Sequence, residues 1–558
     1  MTDSPGTAVP EGVVFVPLGG TGEIGMNLNL YGCQGRWLMV DLGITFGNET
    51  TPGIDVLMPD PAFIEDRLDA LDGIVITHAH EDHIGAVTYL WPWLRKPIYA
   101  SPFAAAFLRV KLEEEGMLGE VPVHEVPLGS RFQVGAFDVE FIGTTHSIPE
   151  PNALAIRTPA GTILHTADWK FDPDPLIGGA ADYDALRRLG DEGVLAMIGD
   201  STNIFNPGHS GSEADVRKAL IEVIGRNTTG QVAVACFASN VARLESIAVA
   251  ARENGRHAVL VGRSLLRMNE TARRCGYLAD IPPFLSEDDA ADLPRDKVLY
   301  LCTGSQGEPR AALPRIAGGS HRSVSLSEGD TVIFSSRVIP GNERAIFAMQ
   351  NRLVESGVEI ITARDAPVHV SGHPAREEVE EMYRLVRPTV AVPVHGEALH
   401  LREHGRIAKA CGVEHVVLIH DGDILRLDSV PPRVVDQAPT GLLALDGDRL
   451  VPMSSQMLRD RRRMMNNGAA TVTLVLNGKG GLVAAPLVSA RGLLDPEEDA
   501  EDLESLVRQI RSAVDGLDRR ALDDDTQVMD RARRTVGRFF RTSQNRRPVT
   551  DIHVVRVG

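Results

Sequence analysis

The stretch Thr77-His78-Ala79-His80-Glu81-Asp82-His83 is the most informative part of this sequence. It carries four potential metal ligands and directly follows the apolar run at 72–76. Neutral imidazole and carboxylate are the ligands that Zn²⁺ or Mn²⁺ accepts at a hydrolytic site. Two ligand pairs this close together, on a loop leaving a buried strand, indicate two adjacent metal ions. Surface histidines on a polar loop are the alternative. The chain has only 17 histidines in 558 residues, however, so three within this stretch favour a metal site.

Length and composition are typical of a soluble protein with about three or four domains. No window approaches ~18 consecutive apolar residues, so we expect no membrane span. The N-terminus at 1–6 lacks the basic region and apolar core of a secretion signal. Five scattered cysteines without CxxC spacing indicate reduced thiols in the cytoplasm and argue against a thiolate metal site.

The net charge of −19 at first sight argues against an anionic substrate. Net charge is a weak criterion, because the local field of a cleft can oppose it and bound cations add positive charge. Acidic residues form dense blocks at 496–502 and 523–525, whereas basic clusters lie at 459–463 and 531–547. We interpret the acidic blocks as solvated helix faces.

Strand patterns dominate the beginning of the chain, at 12–18 and 36–41. Between them, Gly20-Thr21-Gly22-Glu23-Ile24-Gly25 matches the GxGxxG pattern of dinucleotide-binding sites. That site requires a helix after the glycines, but residues 26–32 alternate like a second strand. We therefore predict a β-hairpin here.

A more regular strand–helix alternation follows residues 207–213 and indicates a second α/β domain, inserted into the first. Its hydrophobic runs are of parallel-strand type, and each precedes a small polar loop that contains Ser239, Arg263 or Ser305. From 436 to 467 the pattern weakens into a linker. A last unit of about ninety residues follows, with strands at both ends and an amphipathic helix between them.

The remaining metal ligands must come from elsewhere in the first domain. Apolar strands end at His146, at Asp168 with His165 nearby, at Asp41 and at His395. Taken singly, each of these residues is more often a hydrogen-bonded cap than a ligand. Together with the cluster at 77–83, they supply the missing coordination of two metals.

These ordered motifs resemble those of the metallo-β-lactamase fold. The resemblance implies that His78, His80 and His146 hold one metal, that Asp82, His83 and a distal histidine hold the other, and that Asp168 bridges both. It also implies that Asp41 orients a ligand histidine through its other ring nitrogen.

Three later motifs, at 198–203, 369–374 and 392–397, resemble those of the β-CASP nucleases. This resemblance implies that Asp200 pairs with a reactive His373 and that His395 is the seventh metal ligand. A histidine in the third motif is typical of members that act on RNA. The segment 302–309 and the C-terminal unit are, more narrowly, similar to the bacterial ribonuclease J family, and this similarity covers nearly the whole chain.

The resemblance implies an αββα metallo-β-lactamase sandwich with an inserted β-CASP α/β domain and a small α+β C-terminal domain. We expect the first domain at 1–210 with a return segment at 356–435, the inserted domain at 211–355, a linker at 436–470 and the C-terminal domain at 471–558. We interpret the last domain as an oligomerisation module that makes a homodimer or homotetramer. An independent tethered domain is the alternative.

The family further implies a 5′→3′ exoribonuclease with endoribonuclease activity, acting in mRNA decay and in the maturation of rRNA and other RNAs. The expected cofactors are two divalent ions, Zn²⁺ in first place or Mn²⁺, which activate water. Expected partners are single-stranded RNA and other RNA-decay proteins, without a membrane.

His373 lies in a turn where Gly372 would let the backbone approach a phosphate. We predict that His373 acts as general acid or transition-state stabiliser, with Asp200 and Asp82 also catalytic. A histidine merely hydrogen-bonded to Asp200 is the alternative. We predict that a pocket for a 5′-monophosphate is formed by the motif residues His369, Val370, Ser371, Gly372 and His373 and by the loop residues Ser239, Arg263 and Ser305.

Two other functions compete with RNA hydrolysis. A small-molecule hydrolase such as a lactamase or thioesterase predicts about half this length and no inserted domain. A non-catalytic scaffold predicts missing ligands, whereas every expected position is filled here. Both are therefore disfavoured.

Overall fold

The computed structural model describes residues 12–48 and 50–557, so the N-terminal segment predicted not to be a secretion signal lies outside the described residues. The chain forms two compact units. The first comprises Met58–Thr440 and the chain up to Thr45, and the second comprises Phe46–Leu57 and the chain from Gly441 onward. None of the described helices is long and apolar enough to cross a membrane.

Two sheets pack face to face in the first unit. The first sheet contains β1 (Val13–Gly19), β2 (Leu28–Cys33), β3 (Arg36–Val40), β6 (Leu71–Val75), β7 (Ile98–Ala100), β8 (Val123–Glu125), β21 (Asp423–Arg426) and β22 (Arg433–Gln437), in the order β22-β21-β1-β2-β3-β6-β7-β8. The second sheet contains β9 (Arg131–Val134), β10 (Phe137–Gly143), β11 (Asn152–Thr158), β12 (Gly161–His165), β13 (Val194–Asp200), β19 (Val390–Val394) and β20 (His415–Val416), in the order β20-β19-β13-β12-β11-β10-β9. Phe15 and Val40 of the first sheet share one buried cluster with Phe141 and Ile198 of the second.

Helices cover the outer faces of both sheets, which confirms the predicted αββα sandwich. They are α1 (Ala62–Glu65), α2 (Glu81–Ile84), α3 (Val87–Leu94), α4 (Pro102–Glu114), α5 (Tyr183–Glu192), α12 (Arg376–Val386) and α13 (Ala398–Ala410). Helices α5, α12 and α13 bury apolar side chains against the second sheet, and α4 packs on β7 and β8 of the first. Because β1 pairs antiparallel with β2, the glycine-rich motif at 20–25 is a hairpin loop, as predicted.

The inserted α/β domain lies between β13 and β19, which are parallel neighbours in the second sheet. Its sheet contains β14 (Val232–Ala235), β15 (His257–Val261), β16 (Val298–Cys302), β17 (Thr331–Phe334) and β18 (Glu359–Ile361), all parallel in the order β15-β16-β14-β17-β18. Its helices are α6 (Glu213–Arg226), α7 (Val241–Glu253), α8 (Arg263–Arg274), α9 (Glu287–Ala290), α10 (Ala312–Ala317) and α11 (Glu343–Glu355). The inserted sheet continues past the expected boundary at 355, because β18 is a three-residue edge strand too short to leave a clear pattern.

The second unit contains the C-terminal α+β fold. A three-stranded sheet of β25 (Ala469–Asn477), β26 (Leu487–Arg491) and β27 (Val549–Val557) packs on the helices α15 (Ala500–Asp515) and α17 (Asp525–Gln544), with the short α16 (Arg519–Leu522) between them. The order β26-β25-β27 has one antiparallel and one parallel pair, which makes the sheet mixed, as expected.

The segment 436–470 was wrongly predicted to be a linker. It contains β23 (Leu442–Asp446), β24 (Arg449–Pro452) and α14 (Gln456–Asn467), and the two strands join a four-stranded sheet with β4 (Thr45–Phe46) and β5 (Val56–Pro59). The Ser455 side chain caps α14 by accepting a hydrogen bond from the Leu458 N–H. Leu458 and Ala444 share a small buried cluster with Ile54 and Leu57. The apolar partners of this segment thus come from about four hundred residues earlier, so its own sequence shows little hydrophobic periodicity.

Candidate active site

Six strand ends bring the predicted site residues together. Asp41 and His78 follow β3 and β6 of the first sheet, and the other four residues end or follow strands of the second sheet: His146 after β10, Asp168 after β12, Asp200 at the end of β13 and His395 after β19. Asp82 and His83 lie in the first turn of α2, directly after the loop that carries His78 and His80. Carboxyl ends of parallel strands commonly hold ligands, because side chains from distant parts of the chain meet there.

The first group of candidate ligand atoms surrounds a space that can hold one cation. His80 Nδ1 lies 3.1 Å from His78 Nε2 and 3.0 Å from His146 Nε2. Asp168 Oδ2 lies 3.9 Å from His78 Nε2 and 3.7 Å from His146 Nε2. Metal–nitrogen bonds of about 2.0–2.1 Å in a tetrahedron place ligand atoms about 3.3 Å apart. The four residues therefore fit a divalent cation.

A second group shares the same aspartate. His83 Nε2 lies 3.3 Å from Asp168 Oδ2 and 3.7 Å from Asp82 Oδ2, and His395 Nε2 lies 3.4 Å from Asp82 Oδ2. All ligand atoms of each group lie within 4.8 Å of one another. Asp168 thus stands where a bridging carboxylate would contact two cations, and the donor set fits Zn²⁺ or Mn²⁺.

Asp41 fixes the orientation of His83. Its Oδ2 accepts a 2.7 Å hydrogen bond from His83 Nδ1, which leaves Nε2 directed at the second group. The carboxylate also accepts from the Thr77 N–H and hydroxyl, at 2.8 and 2.9 Å. The structure therefore places Asp41 behind a predicted ligand histidine rather than among the candidate ligand atoms.

Burial and charge prepare these groups to bind cations. Burial lowers the pKa of His80 to about 4 and those of His78 and His146 well below the usual range. These imidazoles are therefore neutral, and a ring nitrogen of each can donate its lone pair to a cation. Burial alone would raise the pKa of Asp82 and of Asp168, but neighbouring histidines, His83 for the first and His395 for the second, outweigh it. Both carboxyl groups therefore stay anionic.

His373 and Asp200 form a hydrogen-bonded pair beside the ligands. His373 Nδ1 lies 2.8 Å from Asp200 Oδ2 and 3.8 Å from Asp168 Oδ2. Burial opposes the charged imidazole, but Asp200 and then Asp168 raise the pKa of His373 above its ordinary value. Its side chain is 20% exposed, whereas the Asp200 side chain is fully buried, so His373 is the member of the pair that a substrate can touch.

The loop that carries His373 also supports a predicted metal ligand. The Gly372 carbonyl accepts a hydrogen bond from His146 Nδ1, which directs His146 Nε2 at the first group. A Cβ at position 372 would lie 2.6 Å from that Nδ1 and 2.7 Å from Ser147 Oγ. The glycine is therefore needed for close approach to His146, and its predicted approach to a phosphate remains a prediction.

Strained backbone marks the site. Asp41, Ala167 next to Asp168, and His395 all adopt positive φ values, of 64°, 49° and 51°. Such values are uncommon outside glycine and persist where the surrounding structure holds them. The glycine-rich hairpin loop provides this support for His395, because the His395 N–H donates to the Gly20 carbonyl at 2.7 Å.

A cavity of about 330 Å³ opens beside this loop. Its lining includes the predicted pocket residues His369, Val370 and Ser371, together with Asn203, Asn206, His209, Ser210, Arg337 and Ala375. Burial and the nearby Arg243, Arg337 and Lys170 lower the pKa of His369 to about 3. Arg243 and Lys170 are paired with Glu213 and Asp172, whereas Arg337 lines the cavity, so the Arg337 guanidinium is the group that makes the pocket suitable for an anion.

Ser239, Arg263 and Ser305, which were predicted to line this pocket, lie outside it. They follow β14, β15 and β16, whereas Arg337 follows β17, the strand beside the one that leads into 369–373. Ser305 is only 2% exposed, and Arg263 is an exposed residue at the start of α8. The apolar run 331–334 before Ser335-Ser336 indicates a strand followed by a polar loop that contains Arg337. The order of strands in the sheet, which brings this loop to the cavity, cannot be read from the sequence.

Asp41→Asn is expected to weaken metal binding about ten- to hundredfold, because the predicted ligand His83 loses a charged hydrogen-bond acceptor. Competition with a chromogenic chelator measures the affinity. The exposed Asp66→Asn is the control for removal of one carboxylate. An unchanged affinity in Asp41→Asn would show that Asp41 does not tune the ligand.

Four family models match successive parts of the chain. They are described as "Beta-lactamase superfamily domain" at 37–186, "Ribonuclease J, beta-CASP domain" at 229–353, "Zn-dependent metallo-hydrolase RNA specificity domain" at 357–418 and "Ribonuclease J C-terminal domain" at 456–557. The domain boundaries given above remain predictions.

Relatives extend over nearly the full length. The chain is 43% identical to ribonuclease J of Sinorhizobium meliloti over 99% of this chain and 98% of the relative. It is 37% identical to ribonuclease J of Mycobacterium tuberculosis over 99% of each chain. A crystal structure of a protein of unknown function from Enterococcus faecalis aligns with a TM-score of 0.52 and 16% identity, over 74% of this chain and 99% of that one. That last similarity concerns the fold alone.

Proposed function

Because this chain belongs to the ribonuclease J family, and is therefore a metal-dependent ribonuclease, we propose that it degrades single-stranded RNA from the 5′ end and prefers a 5′-monophosphate. The observation that carries this proposal is the cavity beside His373, which is lined by the Arg337 guanidinium. Ser371 lines the cavity and lies only two residues from His373, and the Ser371 hydroxyl accepts a 3.3 Å hydrogen bond from the His373 N–H. A 5′-phosphate held there would place the first internucleotide linkage at the ligand cluster.

The proposed chemistry assigns separate tasks to the residues. Two bound divalent cations would acidify a water and neutralise charge on the scissile phosphate. His78, His80, Asp82, His83, His146, Asp168 and His395 would hold them. Asp200 would keep His373 in one tautomer by accepting from Nδ1, so that Nε2 can protonate or stabilise the leaving 3′ oxygen.

Repeated cleavage follows from the bond that breaks. Hydrolysis between phosphorus and the 3′ oxygen leaves a 3′-hydroxyl on the released mononucleotide and a new 5′-phosphate on the remaining RNA. That end again fits the cavity. We also propose internal cleavage, which is supported by the position of the ligand cluster outside the cavity that would receive a chain end.

The cellular role proposed here is mRNA decay and maturation of rRNA and other RNAs, together with other RNA-decay proteins. We propose the cytoplasm as its location, since all five cysteines lie in the described residues and are free thiols. A homodimer or homotetramer, with the C-terminal unit in the contact, is also proposed. Zn²⁺ is the favoured metal and Mn²⁺ the alternative.

A time course on labelled RNA tests the direction of cleavage. RNA with a labelled 5′-monophosphate is expected to release mononucleotide from the first time point, and its 5′-triphosphorylated counterpart to release it much more slowly. Equal exonuclease rates on the two RNAs would contradict the phosphate pocket. Internal fragments from the triphosphorylated RNA would report the endonuclease activity.

Arg337→Gln is expected to lower kcat/KM on 5′-monophosphorylated RNA about ten- to hundredfold, because a charged hydrogen bond to the terminal phosphate is lost. Internal cleavage of 5′-triphosphorylated RNA should change little. Arg263→Gln removes the same charge outside the pocket and is expected to leave both rates unchanged. An equal loss in both variants would show that Arg337 does not act through the pocket.

A further inference from the structure

Charge is strongly segregated within the second unit. Acidic residues concentrate at 495–504 and 523–530. The next segment, 531–547, contains seven arginines and no acidic residue, although the whole chain has a net charge of −19. Ribonuclease chemistry at the ligand cluster does not account for these arginines.

Helix α17 presents part of this segment to solvent. Its buried side chains are Val528, Ala532, Val536, Phe539 and Phe540. Arg534, Arg538 and Arg541 are spaced at i, i+4 and i+7, so they share one face, and this face points away from the buried one. All three are exposed, and the Arg534 side chain is 79% exposed.

The row of arginines continues beyond the helix. Arg546 and Arg547 follow its C-terminus and are exposed. The Arg546 guanidinium donates to the Asn466 carbonyl at the end of α14, and the Arg547 N–H donates to Asn467 Oδ1 at 3.2 Å. We name Arg534, Arg538, Arg541, Arg546 and Arg547 the arginine ridge.

Most of the ridge lacks acidic partners. Among the residues that the structure describes, no carboxylate lies within 4 Å of the guanidinium of Arg538, Arg541 or Arg547. Elsewhere in the same unit, exposed arginines do pair with acids, as Arg508 does with Glu504 at 3.2 Å and Arg511 with Asp515 at 3.8 Å. The ridge therefore keeps its positive charge available to an outside partner.

We propose that the arginine ridge binds the phosphate backbone of single-stranded RNA, as a second contact distinct from the ligand cluster. Guanidinium groups bind phosphate oxygens through paired N–H donors, and such contacts need no particular base sequence. The proposal rests on the ribonuclease activity, because RNA is the polyanion on which this protein acts.

The chemistry of the exposed face favours RNA over a membrane. A membrane-surface helix needs large apolar side chains opposite its charges and free to enter lipid. The apolar face of α17 is already buried in its own unit, and its exposed face carries Thr535, Gly537 and Thr542 between the arginines. An acidic block of a second copy is the other polyanionic partner, and measurements of RNA cleavage and of oligomeric mass separate the two.

The triple variant Arg538→Gln, Arg541→Gln, Arg547→Gln tests the ridge in the full-length, metal-loaded protein. We expect kcat/KM on a long unstructured 5′-monophosphorylated RNA to fall about ten- to hundredfold at moderate salt. The slope of log(kcat/KM) against log[salt] should become shallower by about 2, from about 0.7 per lost phosphate contact. Cleavage of a 5′-monophosphorylated trinucleotide should not change.

The matched control is Arg508→Gln, Arg511→Gln, Arg519→Gln, which removes the same charge from exposed positions of the same unit. We expect this control to have the same salt slope as the unsubstituted protein. The variant Arg538→Lys, Arg541→Lys, Arg547→Lys keeps the positive charges and is expected to have most of the original salt slope. A salt slope in the ridge variant equal to that of the control would overturn the proposal. The proposal would also be overturned if the ridge variant changed in oligomeric mass, or in binding to phosphatidylserine vesicles, while its RNA cleavage was unaffected. An equal loss on the trinucleotide would also overturn it and would place the effect at the ligand cluster.

Discussion

Replacing Asp168 by asparagine is expected to abolish RNA hydrolysis, with a fall of at least about a thousandfold in kcat, because charge stabilisation by the cations contributes several kcal/mol. Asp168 is the one residue common to all the candidate ligand groups among the described residues. Its carboxylate lies 3.3–3.9 Å from nitrogens of His78, His83 and His146. Asparagine keeps the shape but loses the negative charge that two cations would share.

The measurement combines turnover on 5′-monophosphorylated RNA with metal content per subunit. Both should fall together in Asp168→Asn, while circular dichroism and the unfolding temperature show that the protein is folded. Asp184→Asn, at a position 96% exposed, makes the same chemical change away from the cluster and should have full activity. An active Asp168→Asn protein with two metals would contradict the bridging role.

His373→Ala is expected to lower turnover about 10²- to 10⁴-fold while bound metal stays near two per subunit. His373 makes its short contact with Asp200, at 2.8 Å, and its nearest approach to Asp168 is longer, at 3.8 Å. Its side chain is 20% exposed, so a substrate can reach it. We therefore propose that the histidine serves the reaction rather than the cations.

Metal analysis distinguishes this role from that of a ligand, because the structure also places His373 in a third candidate group with Asp168, Asp200 and His395. Loss of one metal in His373→Ala would make it a ligand and would refute the proton-transfer role. His420→Ala is the control, since that histidine side chain is 81% exposed and lies after a different strand. It should be fully active with unchanged metal content.

The convergence of the site residues was predictable because each follows a strand with a visible apolar run. His78 follows β6 and Asp168 follows β12, and the carboxyl ends of such strands meet when the two sheets pack. Asp41 was predictable for the same reason. The grouping of these residues into one ligand set came from the resemblance to the metallo-β-lactamase fold, because a single strand-end His or Asp is more often a hydrogen-bonded cap than a ligand.

The pocket was predicted only in part, because it depends on strand order. The segment 369–373 was identified from its own motif, but Arg337 reaches the cavity only because β17 lies between β14 and β18. From sequence alone Arg263 was an equally good candidate for binding the 5′-phosphate, because it is a basic residue in an equivalent loop after a strand. Which loop is adjacent is decided by packing in three dimensions.

Long-range pairing also explains the error at 436–470. Helix α14 and strands β23 and β24 are stabilised by apolar residues of 46–57, including Ile54 and Leu57. A segment that shares a core with a distant part of the chain needs few apolar residues of its own. It therefore has the composition of a linker and the structure of a folded element.

A crystal structure of metal-loaded His373→Ala protein with a 5′-monophosphorylated RNA oligonucleotide, with anomalous difference maps at the metal edge, would show where the RNA lies relative to the metals. We expect two anomalous peaks joined by Asp168, the 5′-phosphate beside Arg337 and Ser371, and the first internucleotide phosphate at the two metals. A single peak, or a terminal phosphate bound outside the 330 Å³ cavity, would contradict this expectation.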